Sequence, residues 1–330
     1  MKALVYRGPG QVSLEERAHP TPGAGEVLLE VEACGVCGTD RHIFRGEAPA
    51  AAGVILGHEF GGRVRGLGPG VAGIRPGQRV AVNPNLSCGI CRPCRDGRPH
   101  LCRSLAAYGV DRDGGFAPWA VVAAEQIYPV AEDLPAGAVA LVEPLSCALH
   151  GLELAGVRPG DSVLLLGAGP MGLLLLLLVR RRGAARIVVA DPREERRRLA
   201  RLRGADLAVD PRQELSGEFD VVLEASGSPA ALGAALRAVA PGGTVLVFGV
   251  GPRGASWPVE PYDLYRREIR LQGAFTNPFT TARAVTLLGQ LGSLLTDLLA
   301  HPLPAAELPG FLRDPPSGVL KAVVHWRTAD

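Results

Sequence analysis

Nine residues near the middle of the chain restrict its fold more than any others: Leu164-Leu165-Leu166-Gly167-Ala168-Gly169-Pro170-Met171-Gly172. An apolar run ends in Gly-x-Gly-x-x-Gly, and a helix-like stretch over 171–182 follows at once. Glycines at this spacing permit a tight turn, a close approach of backbone to a pyrophosphate, and close packing of helix on strand. The helix N-terminus adds amide donors and partial positive charge. Nineteen residues after Gly172, at the end of the next apolar stretch, stands Asp191. A carboxylate there accepts hydrogen bonds from ribose hydroxyls and repels a 2′-phosphate, so NAD is the expected cofactor. Arg193 and Arg196 keep NADP as the second choice. The competing reading is a bare strand-helix turn with Asp191 as a helix cap.

From 161 onward apolar strand patterns alternate with helical ones: Ser162–Leu166, 171–182, 187–190, 194–203, 221–224, 229–240, 244–249 and 269–273. That alternation predicts an α/β fold with a parallel sheet. Before about 150 the chain is rich in glycine, proline and β-branched residues, with short strand patterns at 26–32 and Arg79–Val82, so a mostly β part is predicted there. A helix over 280–299 and a strand over 319–326 close the chain. With 330 residues, two domains are expected: 1–150 with a C-terminal return over 284–330, and 151–283.

A net charge of +2 gives no bias toward nucleic acid. The arginine runs at 180–182 and 196–198 read as solvated helix faces. The first residues lack the pattern of a secretory signal, and the greasiest stretch, 173–179, is far short of the ~20 residues of a membrane crossing. A cytoplasmic chain with no membrane partner is expected.

Four of the seven cysteines, Cys88, Cys91, Cys94 and Cys102, fall within fifteen residues among Gly89, Pro93, Gly97 and Pro99. Four thiolates in so short a loop suit a closed tetrahedral zinc that orders the loop; iron-sulfur ligation and a disulfide pair are the competing uses. A second set is dispersed: Cys37 before Gly38-Thr39-Asp40, His58-Glu59 after Gly57, and Glu143 before Pro144. One thiolate, one imidazole and a carboxylate suit a catalytic zinc that keeps a position open. Taken singly, His58 reads as a structural histidine and Cys37 as a small buried side chain. Thr39 and His42 form a candidate path for a proton leaving a buried hydroxyl, and Asp40 can orient a ligand histidine.

Together, Cys37-Gly38-Thr39-Asp40, Gly57-His58-Glu59, the cysteine lobe, Glu143-Pro144-Leu145-Ser146-Cys147-Ala148-Leu149-His150 and the 167–172 loop resemble the zinc-containing medium-chain alcohol dehydrogenase superfamily, from Met1 to about Trp326. The resemblance implies a GroES-like, mostly β catalytic domain, a Rossmann cofactor domain, and an oxidoreductase acting on CH–OH groups. Glu143, where the alcohol dehydrogenase branch has cysteine, and Glu59 beside His58 resemble the sorbitol, polyol and threonine dehydrogenase branch. By motif, Cys37, His58 and Glu59 would ligate zinc, with Glu143 either a direct ligand or the holder of the zinc-bound water. Asp191 with Arg196 resembles a ribose-binding pair. Gly167, Gly169, Pro170, Met171, Gly172, Val250 and Phe275 would contact the cofactor.

The substrate implied is a secondary alcohol, a small polyol first. Two departures bear on it. Phe275 is followed by Thr276-Asn277-Pro278 instead of the usual polyol-binding arginine, and Glu143-Pro144-Leu145-Ser146 departs from the threonine dehydrogenase pattern. A threonine-type or simple secondary alcohol dehydrogenase is the alternative. A catalytically silent NAD-binding module and a zinc-free reductase are rivals from other classes. The resemblance also implies a homo-oligomer, dimer or tetramer.

Overall fold

A computed structural model describes residues 1–212 and 217–326. The chain forms two compact units, Met1–Ser146 with Pro278–Asp330, and Cys147–Asn277.

The first unit is built on a seven-stranded sheet. Its path runs His301–Leu303, Ala322–His325, Glu26–Gly35, Glu59–Leu67, Arg79–Val82 and Ile127–Pro129, with Trp119–Ala123 also paired to Glu26–Gly35. All pairings are antiparallel except that of the two C-terminal strands. Glu26–Gly35 alternates as a strand with one buried face must: Val27, Leu29, Val31 and Ala33 point inward, into a core that includes Leu4, Ile43, Phe60 and Phe116. Two pairings of the same strand prepare the site. Gly35 lies opposite Glu59 on one side and opposite Val323 on the other, so the chain's far end returns beside Val36.

At the start of its strand in this sheet Arg79 is almost fully buried and fully used. It grips both carboxylate oxygens of Glu32 at 2.8 and 2.6 Å and donates to the carbonyls of Ala131, Glu132, Leu134 and Pro135. These bonds fix the turn at 131–137 from which the helix Val142–Ala155, carrying Glu143, sets out. Arg79→Met removes the donor to four carbonyls and leaves the half-buried Glu32 carboxylate with the Gly137 N–H as its one donor among the described residues. It is expected to cost about 3 kcal/mol, read as a lower denaturation midpoint; an unchanged midpoint contradicts this account.

The second unit holds six parallel strands in the order Leu207–Val209, Arg186–Ala190, Ser162–Leu166, Phe219–Glu224, Val239–Val247, Arg270–Gly273. The inner strands are apolar throughout because helices cover both faces. Strand order reverses direction at Ser162–Leu166, so a crevice opens beyond its carboxyl end, where the glycine loop sits.

Some expectations need correction. The helix expected over 280–299 is two helices, Thr281–Leu288 and Ser293–Leu298, because Gly289 ends the first and Gly292, with φ 55°, breaks the path. Arg196 and Arg197 are not on a solvated face. Arg197 turns inward to donate to the Asp191 carbonyl at 2.7 Å, and Arg196 lies 3.8 Å from the Asp191 carboxylate. The strand Leu207–Val209, too short to show a period, was not expected.

Candidate active site

Because Gly35 and Glu59 face each other in the sheet, the residues just beyond one strand and just before the other are neighbours. Cys37 caps the helix Gly38–Phe44, and His58 precedes the strand Glu59–Leu67. Sγ of Cys37, a ring nitrogen of His58 and a carboxylate oxygen of Glu59 all lie within 4.8 Å of one another. Gly57 makes this possible: its φ is 92°, and a Cβ there would stand 2.7 Å from Cys34 Sγ and 2.8 Å from the Phe116 ring.

Asp40 ties the group together. Its Oδ2 accepts the Cys37 N–H at 2.9 Å, and its Oδ1 stands 3.5 Å from His58 Nδ1. Both of the latter atoms are buried without a hydrogen-bond partner. A metal on the other ring nitrogen fixes the tautomer that turns Nδ1–H toward this carboxylate, so the residues present fit a zinc ligand set with its orienting partner. Burial opposes a charged imidazole, yet Asp40 and the Cys37 thiol outweigh it and push the His58 pKa well above the usual histidine range. The group is short of positive charge. Glu143, in the first turn of its helix, stands outside this three-residue group.

One neighbour went unread in the sequence. Lys321 is buried, and its ammonium donates to Glu59 Oε2 and to the Val36 carbonyl, the latter at 3.3 Å. Burial works against its charge, but Glu59, the Cys37 thiol and Glu143 together hold its pKa above the usual lysine range. The available signal was its rarity, since Lys2 and Lys321 are the only lysines among thirty-five basic residues.

Thr39 and His42 are three residues apart on the Gly38–Phe44 helix and so share a face. The Thr39 hydroxyl lies 3.7 Å from Cys37 Sγ. His42 Nδ1 is 2.5 Å from Glu47 Oε2, a second partner that sequence reasoning missed; both side chains are partly exposed.

In the cysteine lobe, Cys91 Sγ lies 3.4 Å from Cys94 Sγ and 3.8 Å from Cys102 Sγ, with no disulfide. Zn–S bonds of ~2.3 Å in a tetrahedron set the sulfurs about 3.8 Å apart, so the lobe fits zinc. Backbone N–H groups of Cys94 and Arg103 pull the Cys91 thiol down to about 6, toward the thiolate a metal needs.

The second unit carries the dinucleotide loop. Gly167 has φ 102°, and a Cβ on Gly172 would fall 2.0 Å from the Gly167 carbonyl oxygen. Gly169 differs: its backbone is ordinary, and a Cβ would meet nothing nearer than Arg196 Nη1 at 3.5 Å. The fold does not need glycine there, whereas a pyrophosphate against the backbone does. Pro170 opens the helix Pro170–Arg181, followed by Met171. Asp191 is buried, accepting from Ala168 N–H at 2.8 Å and Arg193 N–H at 2.9 Å. Val250 and Phe275, expected to contact cofactor, are 66% and 55% exposed.

Such a pairing of metal group and glycine loop defines a zinc-binding, nicotinamide-dependent dehydrogenase. Two family models match, the alcohol dehydrogenase GroES-like domain over residues 23–132 and the zinc-binding dehydrogenase over 170–288. A D-altritol 5-dehydrogenase of Agrobacterium fabrum is 36% identical, over 96% of this chain and 96% of that one. An L-threonine 3-dehydrogenase of Stenotrophomonas maltophilia is 35% identical, over 99% and 100%. The crystal structure of a zinc-binding dehydrogenase from Sinorhizobium meliloti bound to NADP superposes with a TM-score of 0.95 at 37% identity, covering 98% of this chain and 99% of that one. The chain belongs to the zinc-binding alcohol dehydrogenase family.

Proposed function

We infer that the chain oxidises a secondary hydroxyl of a small polyol to a ketone, with NAD as hydride acceptor. The observation that carries this reading is the Cys37, His58 and Glu59 group, which gathers one thiolate, one imidazole and a carboxylate in a chain that also carries the dinucleotide loop. The D-altritol 5-dehydrogenase relative supports the polyol class. Cys37, His58 and a carboxylate, Glu59 or Glu143, would hold zinc, which supplies the Lewis acidity that makes a substrate hydroxyl give up its proton near neutral pH.

That proton has a path in this chain's own residues. Thr39 sits beside Cys37, His42 lies one helical turn on, and Glu47 pairs with the imidazole Nδ1, which leaves the other ring nitrogen to take the proton. His42→Ala is expected to slow turnover ~10²-fold with NAD binding unchanged. Turnover at the wild-type rate would remove the relay.

NAD is favoured over NADP because the Asp191 carboxylate, at the end of its strand, is suited to accept from ribose hydroxyls and to repel a 2′-phosphate, although Arg196 partly offsets its charge and the S. meliloti neighbour holds NADP. The deciding experiment is zinc analysis together with NADH and NADPH formation across four- to six-carbon polyols, butanediol, threonine and simple secondary alcohols. Two zincs per chain with polyol-dependent NADH formation meets the expectation. Activity on threonine alone moves the substrate class, and one zinc or none overturns the mechanism.

A cytosolic homo-oligomer completes the reading. Among the described residues the edge strand Arg270–Gly273 has no partner on its outer side, Leu271 on it is 42% exposed, and Tyr262 and Tyr265 of the preceding helix are 66% and 79% exposed. Sedimentation at equilibrium reads the subunit number.

A further inference from the structure

The backbone that carries His58 is gripped by a stretch of chain holding none of the metal donors. Each of the three carbonyls before His58 accepts from one strap: Ile55 from the Gly114 N–H at 2.8 Å, Leu56 from the Phe116 N–H at 2.9 Å and Gly57 from the Gly115 N–H at 2.8 Å. Asp113 Oδ1 closes the contact by accepting the Ile55 N–H at 2.8 Å. Two glycines bring the strap closer than any side chain would allow. A Cβ on Gly114 would stand 2.1 Å from the Gly57 carbonyl oxygen, and one on Gly109 would stand 2.5 Å from that oxygen and 2.9 Å from the His58 nitrogen. Gly109 has φ 81°, which favours glycine in any case; Gly114 has no left-handed backbone, so there the lack of space beside Gly57 is the reason for glycine. What a side chain would push against is backbone, and a close-packed interior passes that strain on to the imidazole.

The same strap continues from the cysteine lobe. After Cys102 the chain pairs Ala106–Ala107 with Asn85–Leu86, the two-residue ladder at the base of the lobe. The turn that follows is folded onto that ladder: the Ala107 carbonyl accepts the N–H groups of Val110, Asp111 and Arg112 at 3.2, 2.8 and 3.1 Å, and Asp111 Oδ2 accepts the Ala107 N–H at 2.9 Å. We propose that Gly109 and Gly114 are positioning residues that seat His58, and that through them the two metal sites are coupled: a metal ordering the cysteine lobe tightens metal binding at Cys37 and His58. The coupling is partial, because the strap has a second anchor. Tyr108 is buried, and its hydroxyl accepts the Ala123 N–H at 2.8 Å from the main sheet.

The proposal rests on the reading of Cys37 and His58 as a metal centre, and the test separates the two. Cobalt(II) is exchanged into that centre of the full chain while zinc stays in the cysteine lobe. Competition with a chromophoric chelator gives the affinity of the centre, and the visible bands report how its donors are arranged. Wild type must take up cobalt outside the lobe; uptake by the lobe alone overturns both readings. Gly114→Ala should weaken the centre ~10–100-fold and shift the bands, because the imidazole is displaced. Gly68→Ala is the control. A Cβ there would stand 1.7 Å from the Gly23 carbonyl oxygen, a clash just past the far end of the Glu59–Leu67 strand, so the denaturation midpoint should fall with bands and affinity unchanged. Cys94→Ser, with its lobe shown empty by zinc analysis, should weaken the centre about tenfold while NADH, followed by fluorescence quenching, binds as before. That variant carries the test where Gly114→Ala fails to fold. Wild-type affinity and bands in a folded Gly114→Ala, an equal loss of affinity in Gly68→Ala, or wild-type affinity in Cys94→Ser would each overturn the proposal.

Discussion

His58→Ala, or Cys37→Ser, is expected to abolish reduction of the nicotinamide cofactor while the cofactor still binds. Either change removes a donor from a group whose members are held by backbone pairing and by Asp40, and no spare nitrogen or sulfur of the group replaces it. The Lewis-acid contribution of a bound zinc is several kcal/mol; about 4 kcal/mol corresponds to ~10³-fold in rate, and loss of the metal altogether takes turnover to background. NAD binding persists because its determinants lie elsewhere. Gly167, Gly169, Gly172 and Asp191 belong to the Cys147–Asn277 unit, which has its own apolar core around Leu164, Val188, Val222 and Val245. Steady-state turnover with quenching of bound NADH fluorescence measures both properties in one sample. A folded His58→Ala that no longer binds NAD would refute this separation of chemistry from cofactor.

The contrast between His58 and Lys321 shows what sequence pattern can and cannot carry. The glycine loop was readable because its signal is local: an apolar strand, a turn that only glycine permits, and a helix follow one another within about twenty residues. Cys37, His58 and Glu59 were readable as a set because each sits in a short motif, even though their meeting depends on the pairing of Gly35 with Glu59. Lys321 has no motif around it. It reaches Glu59 only through the register Val323 with Gly35, a pairing across nearly the whole chain that no periodicity encodes. Glu47 was missed for a smaller reason: its contact with His42 depends on how the chain turns after Phe44, and an exposed glutamate gives no sign of its partner. The inward turn of Arg196 and Arg197 was hidden in the same way, since a run of arginines on a helix looks solvated until the acceptor at the strand end is placed beside it.

Loss of zinc from the cysteine lobe unfolds the lobe and leaves the rest of the chain standing. Between residues 85 and 107 only Cys102 is buried, so the segment has no apolar core of its own. Its ordered elements are one short helix, Arg92–Arg95, one turn at Pro99–Leu101 and a two-residue ladder at its base. Zinc sites of this type contribute ~10–16 kcal/mol of apparent binding free energy at neutral pH, far more than these contacts supply, and that free energy is the folding free energy of the segment. Cys94→Ser is therefore expected to drop the zinc content by one per chain and to open the lobe to trypsin. Cuts should come after Arg95 and Arg103, the two lobe arginines not followed by proline. The main sheets, with cores built on Leu29, Phe60 and Leu164, should resist at the same protease concentration. A Cys94→Ser chain that loses its zinc yet keeps the lobe uncut would mean that the lobe is held by its backbone and by Cys102 alone, and the metal there would lose its structural role.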